Sequence, residues 1–171
     1  MIKMQAYEII AKDWDEKRKS PFSALALFLP AISKSDIILD AGCGNGRNLK
    51  LIAKQAKFVC GIDSSKKMLE FAKKNLKAKK NVSISFGDIA KTKFEANKFD
   101  KIFSSAVLHH LKPNLHKIAV GELYRVLKKG GILFLTVWVG KKSFKKEETV
   151  KWALPNREKV LRYYFFSTQL N

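Results

Sequence analysis

The chain has 171 residues, of which 46% are hydrophobic, so it is long enough for one domain with its own core, and the composition excludes an intrinsically disordered protein. Its 34 Lys and Arg residues against 15 Asp and Glu residues give a formal net charge of +19 at pH 7. A charge of this sign attracts polyanions, so we expect a nucleic acid partner, whereas a lysine-rich proteome would explain the same charge without one.

The sequence shows no sign of a membrane span or of a disulfide-stabilised secreted domain. No apolar run reaches the roughly 20 residues that a transmembrane helix needs. The N-terminal stretch alternates apolar and charged residues and has no signal-peptide core. Cys43 and Cys60 are too few for a disulfide framework, and neither has a further ligand at metal spacing. We therefore expect a cytoplasmic protein without a metal site.

Strand-like and helix-like patterns alternate along most of the chain. The strand-like segments are IILDA, FVCGID, NVSISF, FDKIFSSAVL and GILFLTVWV. The last is apolar enough to predict a strand at the centre of the sheet, covered on both faces. A helix is predicted from about Pro113 to Lys129. Its predicted inner face consists of Leu115, Ile118, Ala119, Leu123, Val126 and Leu127. The alternation predicts an α/β protein with a Rossmann-like, doubly wound and mostly parallel sheet.

Three glycines follow the first strand in the stretch LDAGCGNGRN, at Gly42, Gly44 and Gly46. Glycines there let the chain turn sharply and let the backbone approach a ligand, and such sheets bind ligands beyond the carboxyl ends of their strands. The second and third strands end near carboxylates, Asp63 and Asp88, which suit the hydroxyls of a ribose and the exocyclic amine of an adenine. Three neighbouring strand ends therefore predict a nucleoside site.

Asp40, two residues before the first of these glycines, indicates the charge of the ligand. The glycine spacing is G-x-G-x-G, whereas the dinucleotide fingerprint is G-x-G-x-x-G around a pyrophosphate. A carboxylate repels a pyrophosphate and attracts an ammonium or a sulfonium, which favours S-adenosylmethionine over NAD. A cap on the amides of the loop is the alternative role for Asp40, and the two roles are compatible.

Several motifs resemble those of class I S-adenosylmethionine-dependent methyltransferases: LDAGCGNGRN, GIDSSKKML, GDI, FDKIFSSAVLHHL and ELYRVLKKGGILFLTVW. More narrowly, YEIIAKDWDEKRKSPF, AVLHHL, VW and RYYFF resemble the enzymes that esterify a carboxymethyl group on the wobble uridine of tRNA. The resemblance implies S-adenosylmethionine as cofactor and tRNA as substrate. It also implies the cofactor residues: Asp40, Gly42, Gly44 and Gly46 at the methionine end, Asp63 at the ribose, Ser64 and Met68 beside the adenosine, Asp88 and Ile89 at the adenine, and Val107 near the reacting methyl group.

A carboxylate acceptor is already ionised at pH 7, so it needs an orienting cation, preferably a guanidinium, rather than a general base. We assign that role to Arg18, in the N-terminal segment that such enzymes fold over the active site, with a solvated charge as the alternative. His110 is predicted to hydrogen-bond the carboxylate or the uracil. Trp138 is predicted to stack on the base, with core packing as the alternative. Arg162, Tyr163 and Tyr164 match a substrate-side segment of the family, with a helix surface as the alternative.

Two parts of the chain depart from the family pattern. KPNLH follows HHL where the family carries a serine, a threonine and an arginine, so no substrate contact is carried over there. The segment EETVKWALPNREKVLRYYFF is interpreted as loop and helix, so we expect the C-terminal strand hairpin to be missing or truncated, with STQLN as the start of a helix that the sequence cuts short. The fifth strand would then need cover from a second chain, a helix near Arg157 to Phe166, or a copy of the protein.

The family further implies a small zinc-binding activator subunit at the third-strand edge. Val82, Ile84 and Phe86 could accept it by β-augmentation, and packing of that face on the core is the alternative.

We divide the single domain into a helical N-terminal cover (1–36), a cofactor-binding core (37–139) and a basic loop with the C-terminal segment (140–171). The predicted function is methyl esterification of a wobble-uridine carboxymethyl group in tRNA. A small-molecule methyltransferase is the first alternative, and a non-catalytic scaffold completed by a partner chain is the second. The charge argues against the first, and the three retained carboxylates argue against the second. An NAD oxidoreductase comes last.

Overall fold

The computed structural model describes residues 2–138 and 147–165, with side chains described from Ala6 onward. Its helices and strands in chain order are α1 (Ile2–Lys17), α2 (Leu25–Phe28), β1 (Ile37–Ala41), α3 (Leu49–Gln55), β2 (Phe58–Asp63), α4 (Lys66–Leu76), β3 (Val82–Phe86), β4 (Phe99–Ser105), α5 (Pro113–Val126), β5 (Leu127–Thr136), β6 (Glu147–Ala153) and β7 (Lys159–Phe165). Two 3-10 turns lie at Leu29–Ala31 and Leu108–His110.

Strands β1 to β5 form one parallel sheet in the order β3-β2-β1-β4-β5. The chain moves outward from β1 to β3 and then returns to β4 on the other side of β1. The switch point therefore lies between β1 and β4, where open α/β sheets bind their ligands. This arrangement confirms the predicted α/β, Rossmann-like sheet.

The two faces of the sheet carry separate hydrophobic cores. Because successive strand residues point to opposite faces, Ile38 and its neighbour Leu39 in β1 belong to different clusters. Ile38 packs with side chains of α2, α3 and α4, and Leu39 packs with Ala119 and Leu123 of α5. Both residues are 0% exposed. The helices on both faces hold the strand ends in place and so position the loops that follow β1, β2, β3 and β4.

The predicted boundary between helix α5 and strand β5 is wrong. Helix α5 ends at Val126, and Leu127 already pairs with Phe99 of β4, so the chain is extended where a helix to Lys129 was expected. Ile118, assigned to the inner face, is 54% exposed. Strand β5 is an edge strand of the described sheet rather than a central one, and Ile132 within it is 45% exposed. The expected cover on both faces is confirmed, because Phe134 packs on one hydrophobic cluster and Leu133 and Leu135 pack on the other.

The C-terminal segment forms an antiparallel hairpin, so the expectations of a missing hairpin and of a helix near Arg157 to Phe166 are wrong. Strands β6 and β7 pair from Glu147 opposite Phe165 to Ala153 opposite Lys159. The apolar residues recur at period two, not at helical spacing, because only one face of the hairpin is covered. The turn is closed by the Arg157 amide, which donates to the carbonyl of Leu154 at 3.0 Å.

This hairpin packs on α1 and on the Leu108–His110 turn instead of extending the sheet beside β5. Trp152 and Val160 contact the buried cluster of Ile10, Ala11 and Met68. Within the described residues, β6 and β7 pair only with each other. The basic stretch GKKSFKK and the segment STQLN lie outside the described residues. In the described part of the chain, no helix is long and apolar enough to cross a bilayer.

Candidate functional site

The glycine loop after β1 passes directly against neighbouring side chains. A Cβ added at Gly42, whose φ is +86°, would lie 2.3 Å from a methyl carbon of Val107. A Cβ added at Gly46, with φ +77°, would lie 2.7 Å from Leu76. At Gly44, with φ +54°, an added Cβ would meet no atom within 4 Å. Packing therefore requires two of the glycines, and Gly44 is the one that faces open space, where a ligand can approach the backbone.

Asp63, at the end of β2, ties the glycine loop to the start of α4. Its Oδ2 accepts a hydrogen bond from the Gly44 amide at 2.8 Å, and its Oδ1 accepts one from the Ser65 amide at 2.9 Å. Burial raises the pKa of Asp63, and these backbone hydrogen bonds oppose the shift. Ser64 is half-buried beside it, whereas Met68 is buried between α1 and α4. The structure thus brings Asp63 and Ser64 to the loop and places Met68 in the packing beneath them.

Asp40 is a buried carboxylate with an unpaired oxygen. It is 1% exposed, and its Oδ2 has no hydrogen-bond partner among the described residues. Burial, followed by the negative charge of Asp63, raises the pKa of Asp40 to about 8, and Arg47 opposes the shift. Because an unpaired buried acceptor is costly, the position fits a ligand that brings a positive charge and N–H donors, as the ammonium group of an amino acid does.

The alternative role of Asp40, as a cap on the loop amides, is not observed for the amides that the structure describes with partners. These amides have other acceptors: Gly42 and Cys43 donate to the carbonyl of Ile62 at 2.8 and 2.9 Å, Gly44 donates to Asp63 and Gly46 donates to the carbonyl of Cys43 at 3.0 Å. The loop closes without Asp40.

The ends of β3 and β4 complete the rim of this site. Asp88 is exposed, and its Oδ1 accepts a hydrogen bond from the Ala90 amide at 2.8 Å, while Ile89 beside it is buried in the core. Ala106, after β4, has φ +58°, a conformation rarely adopted by a residue with a side chain, and its amide donates to Thr136 Oγ1 at 2.9 Å. This turn holds the next residue, Val107, against the glycine loop. Backbone strain of this kind is common at functional sites.

His110 makes hydrogen bonds at both ring nitrogens that define the tautomer of its neutral form. Its Nδ1 lies 3.0 Å from the carbonyl of Tyr163, which can only accept, so Nδ1 carries the hydrogen. Its Nε2 then accepts a hydrogen bond from the Tyr7 hydroxyl at 2.7 Å. His109 is 2% exposed, and burial, assisted by His110, lowers its pKa to about 3. His109 is a neutral packing residue, whereas His110 is half-buried and contacts both α1 and β7.

Arg162 is a buried cation enclosed by aromatic rings. It is 7% exposed, and its guanidinium carbon lies 4.8 Å from the ring centre of Trp152, 5.2 Å from that of Tyr164 and 5.9 Å from that of Trp14. Its Nε has no hydrogen-bond partner, and no carboxylate in the described part of the chain forms an ion pair with it. A buried guanidinium without a counter-ion indicates a site for an anionic ligand.

Tyr7 lies near both Arg162 and Asp63, the carboxylate that binds the glycine loop. Burial and the neighbouring Tyr164 raise the pKa of Tyr7, the positive charge of Arg162 lowers it, and the negative charge of Asp63 raises it. The hydroxyl of Tyr7 therefore lies within electrostatic reach of both Arg162 and Asp63. We refer to Tyr7, Trp14, Trp152 and Tyr164 as the aromatic cluster.

Two further predicted residues lie at the rim of the aromatic cluster. Arg18 is exposed, and its guanidinium carbon lies 5.7 Å from the ring centre of Trp14 and 5.8 Å from that of Trp152. Trp138 is 51% exposed, so it is not a core residue, and its ring centre lies 5.9 Å from that of Tyr164. The structure brings both residues to the same surface as Arg162.

Tyr163 faces away from Arg162. Burial and the neighbouring carboxylate of Glu147 raise the pKa of Tyr163 to about 12, which places its hydroxyl beside β6. Tyr164, expected at the substrate side together with Tyr163, lies on the same side as Arg162. Sequence reasoning missed Tyr7, Trp14 and Trp152 as site residues. The period-two spacing of Arg162 and Tyr164 in β7 was the available signal, and it becomes informative only once the segment is known to be a strand.

Comparison with known proteins gives the fold and the family. Residues 39–135 match the family described as "Methyltransferase domain". A "tRNA (carboxymethyluridine(34)-5-O)-methyltransferase" of Arabidopsis thaliana is 32% identical over 140 residues, which make up 81% of this chain and 33% of that protein. The chain spans a third or less of the length of the first curated relatives that it matches.

Two solved structures share the fold. The structure titled "DhpI-SAH complex" has a TM-score of 0.74 and 16% identity, and the match covers 97% of this chain and 79% of that one. The "Complex between the Haloferax volcanii Trm112 methyltransferase activator and the putative methyltransferase" has a TM-score of 0.66 and 19% identity, and the match covers 82% of this chain and 62% of that one.

Proposed function

The chain belongs to the class I S-adenosylmethionine-dependent methyltransferase family, and on this premise we propose that it methylates tRNA, forming the methyl ester of a carboxymethyl group on the wobble uridine. Three observations support the proposal. The named activity of the Arabidopsis relative is methylation of carboxymethyluridine in tRNA. The net charge of +19 suits a polyanionic substrate. The observation that carries most weight is Arg162, a buried cation placed for an anionic acceptor.

S-adenosylmethionine, the cofactor of this family, supplies when bound an electrophilic methyl group on a positively charged sulfur. The residues at the ends of β1 to β3 fit its parts. The unpaired, buried Oδ2 of Asp40 is placed for the ammonium group of the methionine moiety. Each oxygen of Asp63 accepts one backbone hydrogen bond and can accept another, from a ribose hydroxyl. Asp88 is exposed beyond β3 and is free to receive the amino group of the adenine through Oδ2.

The substrate side is built to hold a carboxylate. The Arg162 guanidinium orients it and neutralises its charge until reaction, as Arg–carboxylate pairs do in low-dielectric surroundings. Arg18, more exposed, lies on the same aromatic rings and adds positive charge at the entrance. Because the acceptor oxygen is already ionised, no residue has to remove a proton, and the catalytic task is alignment and exclusion of water.

His110 and Trp138 are proposed to position the base. The hydrogen bond from Nδ1 to the Tyr163 carbonyl fixes the ring of His110. When substrate binds, Nε2 either keeps its hydrogen bond from the Tyr7 hydroxyl or accepts one from the uracil instead. Trp138 is half-exposed at the edge of the aromatic cluster, where an unstacked base can lie against its ring.

The test is transfer of labelled methyl groups from S-adenosylmethionine to tRNA that carries the carboxymethyl group, with tRNA lacking it as the negative substrate. We expect base-labile incorporation into the first substrate only, because a methyl ester hydrolyses in alkali. Arg162→Lys keeps the charge but loses the planar fork, and we expect kcat/KM to fall by about a hundredfold. Arg157→Lys in the hairpin turn is the matched control and should keep the parent rate.

Calorimetric titration of S-adenosylmethionine into each variant shows whether the cofactor site survives the change at Arg162. Equal methylation of both tRNAs, or parent activity in Arg162→Lys with normal cofactor binding, would refute the proposed acceptor. A protein that binds the cofactor but methylates neither tRNA would instead support the scaffold or small-molecule alternatives.

We also propose that a small zinc-binding activator docks at the β3 edge. Val82 and Ile84 pack on the core, so Phe86, 50% exposed, is the one apolar residue of that strand available to a partner. The edge of β5, with Ile132 at 45% exposure, is the alternative position for a second chain. Phe86→Asp should abolish co-purification with the activator, whereas Ile132→Asp should not. The reverse result would move the partner to β5.

A further inference from the structure

A cavity of about 310 Å³ lies beside the glycine loop, where the end of α1, the start of α3 and the end of α4 meet. Four of the residues that line it are basic: Lys19, Arg47, Lys50 and Lys74. We refer to it as the basic pocket. Its sequence positions are scattered, so the cluster exists only in the folded protein.

The positive charges of the basic pocket are not balanced by neighbouring carboxylates. Asp15 is the one acidic residue in its lining, and its Oδ1 accepts hydrogen bonds from the side-chain amides of Asn45 and Asn75 at 2.9 and 2.8 Å. Those bonds join the walls of the pocket. In the described part of the chain, no ion pair links any of the four cations to a carboxylate. Four positive charges in one concave surface focus the field on an anion.

Arg47 is the most constrained of these cations. Its guanidinium donates to the carbonyl of Ser20 at 3.3 Å and lies 5.8 Å from the ring centre of Phe22. Burial, followed by the positive charge of Arg18, lowers the pKa of Arg47, so a further anion would be stabilising there. The three lysines are exposed, and flexible ammonium groups suit phosphate oxygens, which they bind as point charges.

The position of the pocket relates it to the proposed substrate site. Arg18 and Lys19 are consecutive residues: the first lies on the aromatic cluster, and the second lines the basic pocket. An RNA strand whose target nucleotide reaches Arg162 therefore passes the end of α1 on its way to the pocket. We infer that the basic pocket binds backbone phosphates of the tRNA strand that carries the modified nucleotide; the inference rests on the proposed function.

The test is the paired charge reversal Lys50→Glu/Lys74→Glu, with Lys117→Glu/Lys129→Glu, both exposed and remote from the pocket, as a control of equal charge change. Binding of a fluorescent anticodon stem-loop is measured by anisotropy against KCl concentration. We expect the pocket variant to bind about tenfold more weakly at 100 mM KCl. Its log K against log salt slope should be smaller by about 1.5, as loss of two phosphate contacts predicts. The control should lose less than threefold.

Methylation of the same RNA and calorimetric binding of S-adenosylmethionine are measured on each protein. The inference predicts a raised KM for RNA in the pocket variant, with kcat and cofactor affinity retained. Equal weakening in both charge-reversed proteins would overturn it, because the effect would then be general electrostatics. A variant that loses inorganic phosphate binding but keeps parent RNA affinity would also overturn it, assigning the pocket to a small anion. A parent protein that neither binds nor methylates RNA would refute the inference together with the proposed function.

Discussion

Replacing the buried carboxylate of Asp40 by an amide should make the protein more stable and its cofactor site weaker. Asp40 is 1% exposed and its pKa is raised from 3.8 to about 8, so between these values the folded protein binds a proton that the unfolded chain has released. Stability must then fall as pH rises through this window, because the unfolded state is favoured by losing the proton. Asp40→Asn removes that dependence.

The size of the stability change follows from the pH range between the two pKa values of Asp40. One bound proton changes the free energy of unfolding by about 1.4 kcal/mol per pH unit, so Asp40 should destabilise the parent by about 2.5 kcal/mol between pH 5 and pH 7. Asp63 also has a raised pKa, so its contribution to the unfolding free energy likewise falls as pH rises. His109 has a lowered pKa, so its contribution rises with pH, over a lower pH range. Both groups remain in the variant, so the difference between the two proteins reports Asp40 together with its coupling to Asp63.

The assay is urea denaturation of the parent, of Asp40→Asn and of Asp88→Asn at pH 5, 6 and 7, with cofactor affinity measured by calorimetry. Asp88 is an exposed carboxylate at the same site, so its variant should keep the parent pH dependence. Asp40→Asn should bind S-adenosylmethionine ten- to a hundredfold more weakly, as expected for loss of a charge-assisted hydrogen bond. Parallel stability curves for parent and Asp40→Asn would refute the assignment of a buried, protonated carboxyl at this position.

Other substitutions test the remaining parts of the site. Gly42→Ala should cost about 2–4 kcal/mol of unfolding free energy, since its Cβ would lie 2.3 Å from Val107 at φ +86°, and adding Val107→Ala should restore part of the loss in thermal melts. Tyr7→Phe leaves His110 Nε2 without its donor, and we expect a roughly tenfold lower kcat with unchanged cofactor affinity; an unchanged kcat would mean that His110 needs no such support. Binding of S-adenosylmethionine to the parent at pH 7 should release a proton, because a cation beside Asp40 lowers its pKa, and calorimetry in buffers of different ionisation enthalpy would detect it.

The sheet and the cofactor side were predictable because their signals are local. Strand β1, the glycines after it and the carboxylates after β2 and β3 follow one another in the sequence as they do along the sheet edge. Whether Asp40 has a partner was not predictable, since that depends on where the amides of the loop donate. The end of α5 was misplaced because Leu127 continues the helical spacing, and its pairing with Phe99 is a long-range contact.

The hairpin and the substrate side were misread for a different physical reason. Strands β6 and β7 contain charged residues at the positions that face solvent, and only their contact with α1 identifies which residues face inward. An arginine in such a pattern is ordinarily solvated, so the burial of Arg162 has no counterpart in the sequence. Arg18 was chosen as the carboxylate ligand because it lay in a recognisable segment, but the structure makes Arg162 the more desolvated of the two.

The position of the hairpin explains why the substrate side exists at all. If β6 and β7 extended the sheet beside β5, Arg162 and Trp152 would be removed from α1, and the aromatic cluster would lose half of its members. Packed on α1, the hairpin supplies Arg162, and α1 supplies Tyr7, whose hydroxyl is within electrostatic reach of Asp63. One helix thus contacts both the carboxylate site and the cofactor site. A ligand that fixes the position of α1 at one site also fixes it at the other, so under the proposed function we expect cofactor and RNA to bind cooperatively.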